Sequence, residues 1–146
     1  MPFLLSPAGS MPALRAAVDA GADEVYLGGP VFNARMNAGN FDRETLVSAA
    51  SLCRRNGVRL HITLNTLIRD REFASAMEYV GFLAREVRPD AIIIQDLGLA
   101  VRGAGRISAA AAKNISARYF QYTAYTAFVG AKLLKWRRMC GKMAGL

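Results

Sequence analysis

The chain has 146 residues, 53% of them hydrophobic and 21% charged, with a net charge of +8. This is a globular composition, long enough to bury a core, and no apolar run approaches the roughly 20 residues that a membrane span requires. Two cysteines, Cys53 and Cys140, are too few for a disulfide framework or a four-thiolate metal site, and neither belongs to a Cys-x-x-Cys pair. Cys53 reads as a small buried hydrophobe, and no role is assigned to Cys140. The opening Met-Pro-Phe-Leu-Leu-Ser-Pro lacks the basic and long apolar regions of a secretory leader, so a cytoplasmic location is expected.

The positive charge is not shared along the chain. Residues 1–98 hold ten arginines, no lysine and eleven acids, whereas residues 99–146 hold nine bases and no acid. The break divides the chain into a front segment, 1–98, and a basic tail, 99–146. The tail is either appended, or frameshifted or truncated relative to the front.

The elements follow in order. Phe3 to Leu5 is a short strand candidate, with Ser6 to Ser10 as the turn after it. Ser10 caps a helix over Met11 to Ala20, which Gly21 ends. Glu24 to Leu27 is the second strand, running into Gly28-Gly29-Pro30 and a polar loop. Asp42 caps a helix reaching about Arg55, closed by Asn56-Gly57. The third strand, Leu60 to Leu64, alternates, so Leu60, Ile62 and Leu64 face one way and His61, Thr63 and Asn65 the other. Asp70 opens a helix over Arg71 to Val87, Pro89 stops it, and the continuous apolar run Ala91 to Ile94 is the fourth strand. Beyond Gly98 come an alanine run, an aromatic string from Tyr119 to Phe128 and the basic Lys135-Trp-Arg-Arg138, a poorly ordered or helical tail.

Strand and helix alternate with a period of roughly 30 residues, the pattern of successive βαβ units on a parallel sheet. Ser6 to Ser10 supplies no Gly-x-Gly-x-x-Gly turn, which disfavours a doubly wound nucleotide-binding fold. The fold class expected is α/β: a partial (β/α)8 TIM-like barrel of roughly four βα units, against the about 250 residues of a whole one. In that architecture the C-terminal strand ends form the ligand face. Gly28, Gly29, Asn33, Arg35, Asn65, Gln95 and Asp96 all fall there and are the candidate substrate-binding residues. Arg35 offers a fork for a carboxylate or phosphate. Asp96 is either an acid or cation ligand, or the cap of a following helix. Tyr26 reads as barrel filling and His61 as an interior hydrogen-bonding residue. No serine elbow, triad or metal-ligand spacing is present, so the catalytic residues are unknown and no metal is expected.

Seven blocks carry a family likeness: Leu4-Leu-Ser-Pro-Ala-Gly-Ser10, Ala16-Ala-Val-Asp-Ala-Gly-Ala-Asp23, Val25-Tyr-Leu-Gly-Gly29, Phe32-Asn-Ala-Arg35, Asn40-Phe41, Asn65-Thr-Leu67 and Ile94-Gln-Asp-Leu-Gly98. In this order and spacing they resemble the N-terminal part of the collagenase-like peptidases, the thirty-second family of peptidases of unassigned catalytic type. The resemblance covers residues 3 to about 98. It implies a protease acting on a peptide or small-molecule substrate. Alternatively, it implies the substrate-binding part of an iron-sulfur hydroxylation system for tRNA or rRNA bases or for oxygen-independent ubiquinone biosynthesis. The four downstream cysteines that hold the cluster in such relatives have no counterpart here, so no cofactor is expected in this chain. A third reading, outside the resemblance, is a basic RNA-binding or scaffold protein acting through residues 99–146. Half a barrel would expose strand edges, so self-association is expected, and the isolated chain is expected to be inactive.

Overall fold

The computed structural model describes residues 4–34 and 41–103. Expectations for Phe3, Arg35, Asn40 and most of the basic tail concern residues outside these. Four strands, β1 (Leu5–Pro7), β2 (Glu24–Gly28), β3 (Arg59–Leu64) and β4 (Ala91–Ile94), form one parallel sheet in the order β1-β2-β3-β4. Between them run α1 (Met11–Asp19), α2 (Arg43–Arg55) and α3 (Phe73–Phe82), and the chain is helical again over 97–103, here α4.

Local chemistry explains the boundaries. The Ser10 hydroxyl accepts from the Ala13 N–H (3.3 Å) at the start of α1, and Gly21 takes the left-handed φ of +83° that follows its end. The Asp42 carboxylate accepts from the Thr45 N–H (2.8 Å) and hydroxyl (2.7 Å) at the start of α2. The first strand lies later than expected, at Leu5–Pro7. Pairing with β2 is carried on by the Ala8 N–H donating to the Tyr26 carbonyl (2.9 Å), and an edge strand tolerates the proline. Asp23 and Asp90 play matching parts before β2 and β4. Their carboxylates accept from the N–H of Leu4 (2.8 Å) and Leu60 (2.8 Å) on the neighbouring chain segment.

The expected continuous helix over Arg71 to Val87 is three pieces. A 3-10 turn, Asp70–Glu72, precedes α3, and a π-helical turn, Leu83–Val87, follows it. Glu72 reaches back to the Arg69 N–H (3.1 Å) and closes the first turn. At the other end Pro89 disfavours a helical Arg88, which instead adopts a φ of +51° and donates its N–H to the Leu83 carbonyl (2.7 Å). The wider turn buries Leu83, Ala84 and Val87, which with Val80 keep the i, i+3, i+4, i+7 spacing of an ordinary helix, so the sequence pattern does not announce the π turn.

The helix-packed core lies on one side of the sheet. Val25, Leu27, Leu60, Ile62, Leu64, Ile92 and Ile94 pack with Leu14 and Ala17 of α1, Leu46, Ala49, Ala50 and Cys53 of α2, and Ala76, Met77 and Val80 of α3. The opposite face carries the alternate positions: Leu5, Pro7, Glu24, Tyr26, Gly28, Arg59, His61, Thr63, Ala91 and Ile93. Sequential parallel strands with every helix on one face are the topology of half a (β/α)8 barrel, the helix-free face being its interior.

Thr45 holds the Asp42 carboxyl below its ordinary 3.8 through hydrogen bonds to its ionised form. That contribution to stability is present above the ordinary carboxyl range and is lost as pH falls through the lowered value. Asp42→Asn should therefore flatten the acid limb of a stability-against-pH curve measured by urea denaturation.

Candidate functional site

The strand ends converge on one rim. Gly28 and Gly29 lie where β2 ends, Asn65 follows β3, and Gln95 and Asp96 follow β4. Across the sheet Gly28 is in register with Thr63 and Thr63 with Ile93, so these ends stand at one level.

Beyond β2 the loop is held by its own side chains. Asn33, 3% exposed, donates from Nδ2 to the Gly29 carbonyl (2.5 Å), and its amide occupies the space a Cβ on Gly28 would need, 2.9 Å from Asn33 Cγ. Phe32 sits at a φ of +57°, costly for an aromatic residue, and lays its ring 6.3 Å from that of Tyr79. A Cβ on Gly29 would overlap the Tyr79 hydroxyl. That hydroxyl is buried without a hydrogen-bond partner among the described residues, and burial pushes the phenol up to about 12. Asn65 ties the next loop to this one, its Oδ1 accepting from the Ala34 N–H (3.0 Å). Asp96 ties the third: Oδ2 accepts from the Ile68 N–H (3.1 Å) and Oδ1 from the Leu99 N–H (2.8 Å), capping α4. Of the two roles open to Asp96 the geometry therefore displays the cap.

The structure thus gathers Gly28, Gly29, Asn33, Asn65, Gln95 and Asp96 on one rim. Asn33, Asn65 and Asp96 each hold backbone groups of the loops that form it. Gln95 is half-buried, its N–H donating to the Leu64 carbonyl (3.3 Å). Arg35 lies outside the described residues.

Below the rim, on the interior face, stands a polar group that sequence reasoning placed only in part. Glu24, its side chain 9% exposed, pairs through Oε1 with the Arg59 guanidinium and through Oε2 with His61 Nε2 (2.9 Å). Glu24 and Arg59 are register partners, as are Tyr26 and His61. His61 is therefore the interior hydrogen-bonding residue expected. Glu24 enters the sequence reading only as the first residue of a strand, and Arg59 lies just before the strand expected from Leu60. Their opposite charges and the two-residue step from Arg59 to His61 are the available signal, and it becomes a contact only once the register is known.

An iron-sulfur cluster does not fit these residues. Cys53 is fully buried in the outer core, and burial raises its thiol to about 11, the reverse of what a thiolate ligand needs. Among the described residues no group of three or more histidine, cysteine or acidic side chains is placed to hold a metal.

Two substitutions test this geometry. Gly29→Ala should cost about 2 kcal/mol by overpacking against Tyr79. Tyr79→Phe should be neutral or stabilising by about 1 kcal/mol because it removes an unsatisfied buried hydroxyl. In the double variant the penalty should shrink, and urea denaturation of the four proteins reads the coupling. Separately, Glu24→Ala strips both Arg59 and His61 of their shared carboxylate and should cost about 2 kcal/mol by the same measurement.

Comparison with known proteins gives these features a context. The model of peptidase family U32 matches residues 9–116. The chain is 37% identical over 95 residues to the uncharacterized protease MJ0090 of Methanocaldococcus jannaschii, covering 65% of this chain and 23% of that protein. It is 40% identical over 95 residues to a collagenase of Porphyromonas gingivalis, covering 64% and 23%. It is 38% identical over 96 residues to the 23S rRNA 5-hydroxycytidine C2501 synthase of Escherichia coli, covering 66% and 14%. The chain thus spans under a quarter of the length of these relatives. The solved structure of the U32 peptidase Mk0906 superposes with a TM-score of 0.51 at 11% identity, over 66% of this chain and 41% of that one, a likeness of fold. With the family model covering well over half of its residues, the chain belongs to peptidase family U32.

Proposed function

We propose that this chain forms the substrate-recognition front of a U32 barrel protein that acts on peptides, a collagenase-like peptidase. The observation that carries this reading is the rim itself. Three loops at the C-terminal ends of β2, β3 and β4 are tied to one another by Asn65 and Asp96, with half-buried Gly28 and Gln95 at the strand ends beside them. Binding groups on loops held by a rigid sheet are the arrangement by which this fold class recognises ligands. The described residues pair no nucleophile with a base, since His61 Nε2 is held by Glu24 in the interior, so the bond-breaking groups are assigned to the rest of the protein.

Among the described residues no strand pairs with the outer edge of β1 or β4, which supports barrel completion by further chain or by self-association. No described helix is long and apolar enough to cross a membrane, and a cytoplasmic location is part of the reading. A second reading, recognition of an RNA base for hydroxylation, is favoured by relatives in Escherichia coli and Bacillus subtilis named as rRNA hydroxycytidine synthase and tRNA hydroxylation proteins.

Gelatin cleavage by the protein purified from its own host tests the first reading. Gln95→Ala should reduce the rate at least about tenfold with an unchanged thermal melt, the loss of one well-placed polar contact. No cleavage, together with loss of a hydroxylated base from tRNA or rRNA digests of a deletion strain, would replace it with the second.

A further inference from the structure

We draw no further inference here: the strongest candidate, the ion-paired cluster of Glu24, Arg59 and His61 on the helix-free face of the sheet, belongs to the site already described, and nothing among the described residues shows what covers that face.

Discussion

Parallel pairing of neighbouring strands in strict sequence order is the constraint on which the rest of this structure depends. Each crossover returns over the same side of the sheet, so α1, α2 and α3 cover one face and leave the other without helices. The two faces then have different chemistry. On the covered face the residues of β2, β3 and β4 are aliphatic and pack into the helices. On the helix-free face a glutamate, an arginine, a histidine and a tyrosine coexist with apolar positions, a mixture that a doubly covered sheet would not hold without further pairing. Glu24 satisfies that requirement by bridging Arg59 and His61, which places a polar core inside the barrel below the rim.

The rim follows from the same constraint. Parallel strands deliver all their C-terminal ends to one side, where the loops meet and must satisfy their own backbone groups. Asn33, Asn65 and Asp96 do this by accepting from or donating to main-chain atoms of their own or the neighbouring loop. The result is a rim in which polar side chains serve as ties, while Leu67 and Leu97 stay exposed. Tyr79 contributes from the other side of the sheet. Its hydroxyl abuts Gly29, so that position admits no side chain and the loop backbone lies close against the core.

Membership of family U32 joins this rim to two kinds of relatives, proteases and RNA-base hydroxylation proteins. What the chain shares with these relatives is sequence over some 95 residues, and with the solved U32 structure a fold. The described residues hold neither a paired nucleophile and base nor a fit for a cluster.

Much of this was legible in the amino-acid sequence because it depends on short-range chemistry. Ser10 and Asp42 announce helix starts by satisfying N–H groups three residues on, Gly21 and Gly57 mark ends by their left-handed backbone, and strand alternation assigns His61 and Thr63 to one face. Periodicity of strand and helix sufficed for the α/β class, and the block pattern for the family. Contacts between residues distant in the chain were decided only in three dimensions. Glu24 meets Arg59 and His61 because two strands adopt one register out of several, and a slip of β3 by one residue would turn Arg59 and His61 to the other face, away from Glu24. The π turn at Leu83–Val87 ends in the left-handed Arg88 before Pro89, and Arg54 of α2 donates to the Val87 carbonyl across 33 residues, a contact that no helical period encodes. The division of Asn33, Asn65 and Asp96 into ties, and of Leu67 and Leu97 into solvent-held groups, was likewise settled by where the neighbouring loops lie, since a side chain's partner is set by position and not by residue type alone.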